Sequence, residues 1–599
     1  MTQTQQQDSV GAKLGEAVEM INRLTWRSMK VGVGAVTGAP AMLRFMRADP
    51  LGLGEAFWSF WGAALRDPLH LAQAPVSLML DYLALSKRLS MQALGLTAEP
   101  LVEPEKGDRR FRDQAWEKHL AFGALKQSYL LTARWFLDTV RDVEGLEPAT
   151  ARKVEFYTQQ LTDAMAPTNF LATNPEALRE TARSGGLNLL RGFDNMLEDL
   201  ARGGSAPGIS MAEPDHFEVG VDLAATPGQV VFENELMQLI QYQPTTAEVA
   251  RRPVLLVPPP MNKFYILDLR QENSLVRWLV SQGQTVLCVS WVNPDARHAQ
   301  RSFDDYVVDG IEAALGAVER ATGEREVNVL GYCYGGILLL GALAAHAVEG
   351  DDRVASATCL TTMVDFTDVG EIRVFLDNAR FPQLARSIEE EGYLDGRALS
   401  NAFRMLRANE LVWAYFVNNY LLGKEPAPFD LLFWNADATN MPAAMHTWFI
   451  RNMYLENRLR SPGGVEVKGV PVDLGAIQIP SFFVSTAADH IAPWRSCYPA
   501  TQLLGGPVEF VLGEAGHIAG VVSPPGRSKY GYWSGACCPS DPDAWREAAT
   551  YNEGSWWPAW SAWLEQRAGG QVPARRPGDG ALAPIEPAPG RYVRVAVGA

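Results

Sequence analysis

The sequence predicts an α/β fold, a doubly wound and mainly parallel sheet, preceded by a mostly α-helical N-terminal domain. From about residue 216, short β-branched or apolar runs alternate with helical stretches, as in strands buried on both faces of a parallel sheet. Before it, apolar residues recur at three- and four-residue spacing, which is typical of amphipathic helices. We therefore predict a helical domain over 1–215 and an α/β catalytic domain over 216–599.

Composition excludes several classes of protein. The 599 residues can form two or more domains, and 47% hydrophobic with 20% charged residues is ordinary for a globular protein. The formal net charge of −16 argues against a general nucleic-acid binder. We find neither a stretch long and apolar enough for a transmembrane segment nor a secretory signal. Six cysteines and eight histidines lack disulfide or metal-site spacing, so we expect a cytoplasmic protein without metal.

In the N-terminal domain, the spacing predicts helices over 13–29 and 151–165. The glycines of "GVGAVTG" (32–38) have the wrong spacing for a dinucleotide-binding loop, so we interpret them as a helix break. The segment "GGSAPGIS" (203–210) is a candidate linker.

The strands of the sheet follow in chain order. "QVVFENELMQLIQY" (229–242) predicts an opening antiparallel hairpin. Further strands are predicted within 253–260, 284–291, 326–332, 354–363, 480–486 and 508–514. Helical stretches lie between most of these runs, which favours right-handed crossovers in one sheet.

Two segments depart from this alternation of strands and helices. The stretch 364–479 is far longer than a crossover needs, and it is helical and aromatic. We predict that about 366–440 is an inserted helical cap over the carboxyl edge of the sheet, where such folds keep their sites. The proline-rich segment of about 571–599 is expected to be an extended tail on the surface.

The strongest local motif is "VNVLGYCYGGILLL" (327–340), a G-x-C-x-G pattern between a predicted strand and a predicted helix. This is the setting of the nucleophile elbow in the α/β-hydrolase fold, with Cys333 at the place of the usual serine. The start of a helix lowers the pKa of a thiol and attracts a developing oxyanion. The alternative is that Cys333 is a buried, unreactive cysteine.

The fold then requires a carboxylate and a histidine, in that order, after later strands. Asp489 follows the strand in "PSFFVSTAADHIAPW", and His517 follows the strand in "VEFVLGEAGHIAG". His490 is the rival base, although it is better placed to line the pocket. Asp365, after the preceding strand, is the rival acid. His346 and His446 lie on predicted helices, where a structural histidine is the simpler interpretation.

The oxyanion hole is expected from two backbone amides. One belongs to Tyr334, the residue after the nucleophile. The other is assigned to Met261, because the three prolines at 258–260 have no N–H to donate. Asn262 would support that loop.

Several motifs together resemble the polyhydroxyalkanoate synthases, which make bacterial storage polyesters. They are "PPPMNKFYILDL", "VSWVNPDA", "GYCYGG", "ADHIAPW" and "GHIAG", with "DRRFRDQAW" (108–116), "PTNFLATNPEAL" (167–178) and "GSWWPAWSAWL" (554–564) outside the elbow region. The resemblance runs from about residue 100 onward. Chain length and the full N-terminal half resemble the single-subunit class I enzymes.

The resemblance implies a function. The substrate would be an (R)-3-hydroxyacyl-CoA, with short-chain 3-hydroxybutyryl-CoA expected, and coenzyme A would leave as the polyester grows. Cys333 would be acylated, His517 would be the base and Asp489 its partner, with no further cofactor. The family implies a homodimer on cytoplasmic polymer granules, with possible contacts to granule-associated proteins. The N-terminal domain would support the dimer and granule association.

A thiol suits this reaction, because exchange of one thioester for another keeps the acyl group activated. Water must be excluded, which gives the predicted cap a function. Two other hypotheses stay open. One is a cysteine-nucleophile thioesterase or acyltransferase of the same fold, with a depolymerase as a related option. The other is a non-catalytic granule-associated scaffold.

Overall fold

The computed structural model describes residues 52–203, 208–213, 216–526, 529–536 and 538–597. The chain divides into two compact units. The first holds the described residues up to Glu213 together with Asn401–Ala427, and the second holds Pro214–Ser400 and Pro428–Ala599. The first unit is helical and the second contains the large sheet, so the predicted fold class is confirmed. The predicted segments 13–29 and 32–38 lie outside the described residues.

The first unit is formed by helices joined by turns. They are Leu53–Ala64, Pro68–Ala93, Ala115–Lys118, Leu120–Arg141, Pro148–Ala164, Pro175–Ser184 and Leu187–Gly203. Two of them begin with clear local signals: the side chains of Glu147 and Asn174 accept hydrogen bonds from first-turn amides, and a proline follows each. The helix predicted over 151–165 is present and begins at Pro148.

Part of the predicted insertion packs within this first unit. Residues Asn401–Ala427 contain the π-helical turns Asn409–Trp413 and Phe416–Leu421. The Arg110 guanidinium joins this segment to the helices, because it donates to Asp163 at 3.0 Å and to the side-chain oxygen of Asn409 at 3.1 Å. The rest of the segment 366–440 belongs to the second unit. Its action as a cap stays a prediction.

Strands β1–β17 all belong to the second unit. Their bounds are β1 Gly228–Glu233, β2 Met237–Tyr242, β3 Glu248–Ala250, β4 Val254–Val257, β5 Val286–Trp291, β6 Val327–Tyr332, β7 Val354–Leu360, β8 Tyr393–Leu394, β9 Met441–Pro442, β10 Glu466–Val467, β11 Val470–Pro471, β12 Ser481–Thr486, β13 Val508–Gly513, β14 Tyr532–Ser534, β15 Thr550–Asn552, β16 Gln571–Pro573 and β17 Glu586–Pro587. Within the described residues the main sheet has 11 strands in the order β15-β14-β13-β12-β7-β6-β4-β5-β2-β1-β17.

The centre of this sheet is parallel. The strands β13, β12, β7, β6, β4 and β5 pair in parallel, while antiparallel strands extend both edges. Strands β4, β5, β6 and β12 are buried along their whole length, since helices cover both faces. Every strand predicted from the sequence is present, including the opening hairpin β1–β2.

Helices of the second unit lie between these strands. The α-helices are Leu275–Ser281, Phe303–Asp305, Ala313–Thr322, Tyr334–Glu349, Phe381–Glu391, Gly396–Met405 (which continues into the first unit), Asp430–Ala436, Ala443–Phe449, Trp494–Cys497, Ala500–Leu503, Pro542–Ala548 and Trp557–Glu565. The helix Tyr334–Glu349, here called the elbow helix, follows β6 directly and is buried over its first three turns. Each helix among the described residues is too short or too polar to cross a bilayer.

The C-terminal segment differs from the expected surface tail. It is extended, but β16 pairs with β3 and β17 pairs with β1 at the edge of the main sheet. Beyond β17, the buried Lys263 ammonium donates to the Val595 carbonyl at 2.6 Å. The segment is therefore held by backbone pairing that covers an open strand edge, which polar, proline-rich composition alone does not reveal.

Candidate active site

Cys333 stands at a sharp turn between β6 and the elbow helix. Its backbone has φ 52° and ψ −114°, a conformation that residues with a side chain rarely adopt. The Cys333 amide donates to the Leu360 carbonyl of β7 at 2.8 Å, which ties the turn to the sheet. The thiol side chain is partly exposed. The turn therefore presents the thiol at the carboxyl edge of the parallel strands, as the motif predicts.

The glycines of "GYCYGG" allow this close approach. A Cβ on Gly331 would lie 2.5 Å from the Gly336 Cα, and one on Gly335 would lie 2.8 Å from the Pro258 carbonyl oxygen. A Cβ on Gly336 would lie 2.8 Å from the methyl carbon of Thr362. Real Cβ atoms do not approach other heavy atoms so closely, so side chains here would push the elbow helix away from β4 and β6.

Asp489 lies just after β12 and is held by several donors. One carboxylate oxygen accepts the amides of Ile491 at 2.9 Å and Ala492 at 2.8 Å. The other accepts the Thr486 hydroxyl at 3.2 Å, and the side chain is fully buried. These bonds satisfy the carboxylate and fix its direction.

His517 lies after β13 and faces Asp489. The His517 Nδ1 atom is 2.7 Å from the second carboxylate oxygen of Asp489. Burial disfavours the charged imidazolium, but Asp489, together with the neighbouring Cys333 side chain, outweighs this effect and raises the pKa of His517 to about 10. The structure thus brings Cys333, His517 and Asp489 together in one series, with a hydrogen bond between His517 and Asp489, in the order that a nucleophile, a base and its orienting acid require.

The rival residues have other partners. Asp365 accepts the Asn457 amide at 2.8 Å and pairs with Arg460 at 2.8 Å, while the His517 ring meets Asp489. His490 is half-buried beside Asp489, and its pocket role stays a prediction.

The two helical histidines lie in the interior. His446 is buried on the helix Ala443–Phe449, and burial lowers its pKa to about 4. His346 is buried on the elbow helix, with Nε2 at 2.6 Å from Glu312.

The expected oxyanion donors lie at the same edge. Tyr334 opens the elbow helix, so its amide belongs to the first turn, where intrahelical acceptors are missing. Its side chain is buried and stacks on Phe449 with ring centroids 3.8 Å apart, which leaves only its backbone for the site. Met261 and Asn262 follow β4 in the loop that adjoins the elbow helix, and Met261 is half-buried. Their roles stay predictions.

A separate polar cluster could resemble a metal centre. Among the described residues, Glu312, His346 and Asp351 form the one group whose ligand atoms all lie within 4.8 Å of one another. The Arg353 guanidinium hydrogen-bonds both carboxylates, and the Lys468 ammonium lies 3.6 Å from Glu312, so two cations supply positive charge there. Burial would raise the pKa of Glu312, but His346 and Arg353 lower it to about 2. The arrangement is that of a partly buried ion-pair network.

Two residues beside His517 and Asp489 were not predicted from the sequence. Thr486 ends β12 and donates to Asp489, and the Tyr332 hydroxyl donates to the His517 carbonyl at 3.2 Å. Tyr332 also lies with its ring centroid 5.8 Å from the imidazole. Both residues occupy the carboxyl ends of strands, one directly before Cys333, and that position was the available signal.

Two family models match this chain. A family model described as poly-beta-hydroxybutyrate polymerase (PhaC) N-terminus matches residues 107–279, and a model of the α/β hydrolase fold matches residues 266–524.

Three curated relatives cover most of the chain. The poly(3-hydroxyalkanoate) polymerase subunit PhaC of Rhizobium meliloti (strain 1021) is 46% identical over 89% of this chain and 87% of its own. The poly(3-hydroxyalkanoate) polymerase of Methylorubrum extorquens is 47% identical, over 89% and 88% respectively. The PhaC subunit of Cupriavidus necator is 46% identical, over 81% and 83%. The resemblance seen in the motifs is confirmed: this chain belongs to the poly(3-hydroxyalkanoate) polymerase family and is an enzyme of the transferase class.

Proposed function

We propose that the enzyme polymerises (R)-3-hydroxyacyl-CoA, with 3-hydroxybutyryl-CoA as the preferred short-chain monomer, through an acyl group carried on Cys333. The observation that carries this proposal is the series from the Cys333 thiol through His517 to the buried Asp489. Membership of the polymerase family supports the polymer product, and the resemblance to class I enzymes supports the short monomer.

The first step exchanges one thioester for another. His517 takes the thiol proton, the Cys333 sulfur attacks the thioester carbonyl carbon, and the negative charge on oxygen is stabilised by the amides of Tyr334 and Met261. The carbon–sulfur bond to coenzyme A then breaks, and His517 returns the proton to the leaving thiolate. Because a thioester is both consumed and formed, the acyl group stays activated on the enzyme.

The second step forms the polymer bond. The 3-hydroxyl of another hydroxyacyl group gives its proton to His517 while its oxygen attacks the Cys333 thioester. The ester forms, the bond to sulfur breaks, and the Cys333 thiolate regains the proton from the imidazolium. Asp489 stabilises the imidazolium in both steps through the 2.7 Å contact with Nδ1. The step is downhill because an oxygen ester replaces a thioester.

This chemistry needs no metal or further cofactor, since proton transfer and covalent catalysis come from the three side chains. The inserted segment 366–440 would limit entry of water, which competes with the hydroxyl for the acyl-enzyme. Treatment with a chelator should leave the rate of coenzyme A release unchanged. A loss of activity that an added divalent cation restores would reject this part of the proposal.

Incubation with 3-hydroxybutyryl-CoA tests the reaction. We expect coenzyme A release, insoluble polymer and an acyl group on Cys333. All three should be lost in Cys333→Ala. In Cys333→Ser, activity should be reduced to traces. Cys538→Ala is the matched control, because Cys538 is also a half-buried cysteine. Release of free 3-hydroxybutyrate instead of polymer would identify a thioesterase. Polymer made by Cys333→Ala would refute the covalent mechanism, and an unreactive protein would favour a scaffold.

The same proposal includes a homodimer on cytoplasmic polymer granules, with the N-terminal domain supporting both. The exposed indoles of Trp58 (79%) and Trp61 (50%) on the helix Leu53–Ala64 support an apolar contact there. Sedimentation velocity measures the dimer, and co-sedimentation with isolated polymer measures association. We expect Trp58→Ser with Trp61→Ser to weaken association with polymer while the helices stay folded.

A further inference from the structure

Trp556, Trp557 and Trp560 are buried, and their indole N–H groups donate to acceptors in different parts of the domain. Trp556 precedes the helix Trp557–Glu565, and Trp560 lies one turn into it. The Trp556 indole N–H donates to the Gly520 carbonyl at 3.0 Å, and the Trp557 indole N–H donates to a neighbouring carbonyl, that of Val521, at 3.0 Å. All three side chains are 1% exposed or less.

Gly520 and Val521 belong to the turn that carries His517. The Gly520 amide donates to the Gly516 carbonyl at 2.9 Å, and the Val521 amide donates to the Ile518 carbonyl at 3.0 Å. These bonds enclose His517 within one short turn after β13. The two indoles therefore hold the C-terminal side of the turn that presents the imidazole.

The turn is also linked to the carboxylate that orients the imidazole. Gly520 packs so closely on Thr486 that an added Cβ would overlap its side chain, and the Thr486 hydroxyl donates to Asp489 at 3.2 Å. Asp489 in turn meets Nδ1 of His517 at 2.7 Å. A shift of the Gly520 backbone would therefore change both the turn and the residue that holds the carboxylate.

We propose that Trp556 and Trp557 are positioning residues for His517, whose indole N–H groups fix the turn so that the imidazole stays between Asp489 and Cys333. The proposal rests on the proposed function and adds to it, since it assigns a task to residues outside the series of three. The two indoles act through the backbone, so they are not catalytic residues.

The physical reason is that the turn lies outside regular secondary structure. The residues 516–522 continue as turns after β13, so ladder hydrogen bonds do not hold them. An imidazole that carries a proton between sulfur and oxygen must keep its geometry, and displacement by about 1 Å can cost about 100-fold in rate. A buried indole is a rigid donor with little conformational entropy to lose, so it suits this task.

Substitutions of the three tryptophans by phenylalanine test the proposal. Trp556→Phe and Trp557→Phe each remove one donor to the turn. Trp560→Phe is the matched control, because its indole is equally buried but donates to the Thr358 hydroxyl of β7 at 2.8 Å. That strand is held on both sides by β6 and β12, so loss of the bond leaves the turn in place. All three variants should lose similar thermal stability.

We expect kcat for polymer formation to fall roughly 10- to 100-fold in Trp556→Phe and Trp557→Phe, with KM nearly unchanged. In Trp560→Phe, kcat should stay within about twofold of the unsubstituted enzyme. The second readout is the pH profile of Cys333 alkylation by iodoacetamide, which reports the contact between thiol and imidazole. We expect the inflection point of this pH profile to move in Trp556→Phe and Trp557→Phe and to stay unchanged in Trp560→Phe.

These readouts separate two kinds of failure. If Trp556→Phe and Trp557→Phe match Trp560→Phe in kcat and in alkylation profile, the positioning proposal is wrong. If the unsubstituted enzyme makes no polymer, the proposed function fails, while the alkylation profiles still decide whether the indoles position His517.

Discussion

Replacing Asp489 by asparagine should separate the two steps of the reaction. The new side chain keeps an oxygen for the amides of Ile491 and Ala492, so the loop after β12 keeps its hydrogen bonds. It then turns an NH2 group toward His517 Nδ1, where the carboxylate oxygen lay at 2.7 Å. An amide cannot stabilise the imidazolium, and it favours the tautomer whose Nε2 already bears a proton.

The structure sets the magnitude of the expected loss in elongation rate. Burial works against the charged form, yet Asp489 and Cys333 raise the pKa of His517 from 6.5 to about 10. At about 1.4 kcal/mol per pKa unit, the difference between these two pKa values corresponds to roughly 5 kcal/mol of imidazolium stabilisation, of which Asp489 supplies the larger share. A loss of about 3–5 kcal/mol slows elongation by roughly 10²–10⁴-fold, because a hydroxyl needs the base. Acylation should suffer less, since a thiol is a stronger acid than a hydroxyl and gives up its proton with less help from a base.

Single-turnover and steady-state kinetics measure this difference. Transfer of the acyl group from 3-hydroxybutyryl-CoA to Cys333 is followed by mass spectrometry, and elongation is followed by coenzyme A release. Asp365→Asn is the matched control, because that carboxylate pairs with Arg460 and Asn457, and its variant should elongate within about twofold of the unsubstituted enzyme. Normal elongation by Asp489→Asn, or the defect appearing in Asp365→Asn instead, would refute the assignment.

Three further substitutions test other contacts of the structure. Gly335→Ala places a methyl group against the Val257 carbonyl, so we expect a loss of about 3 kcal/mol in chemical denaturation and slower acylation. Lys263→Met removes the bond to the Val595 carbonyl, so hydrogen exchange at the C-terminal end should rise, with about 1 kcal/mol lost; unchanged exchange would contradict this. Because the pKa of His517 is raised in the folded state, the contribution of His517 to stability is complete below pH 6.5 and declines as the pH rises toward 10. The Tm of the unsubstituted enzyme should therefore fall over this pH range, and the Tm of His517→Gln should fall less.

Much of the α/β architecture could be predicted from local patterns. A strand buried on both faces must be apolar at successive positions, so runs such as "VLLV" and "VLCVSW" identify β4 and β5 directly. The elbow could be predicted because its glycines respond to local backbone geometry, and chain order then placed Asp489 and His517 at strand ends. These are short-range constraints, visible in a few consecutive residues.

Other features depend on contacts between residues far apart in the chain. The segment Asn401–Ala427 is as helical and aromatic as its surroundings, and only its contacts, such as that of Asn409 with Arg110, assign it to the first unit. The C-terminal segment looks like a free tail, but its backbone groups pair with β1 and β3. Backbone pairing leaves little trace in side-chain composition.

The sequence by itself determined the sheet and the elbow with Cys333 at its turn, because each is encoded in neighbouring residues. Only the tertiary structure decided which carboxylate meets His517, since Asp365 and Asp489 both follow strands of the same edge. It also decided that two indoles hold the histidine turn while a third, one helical turn away, bonds β7. Direction and distance of a side chain are set by packing of the whole domain, which sequence spacing does not specify.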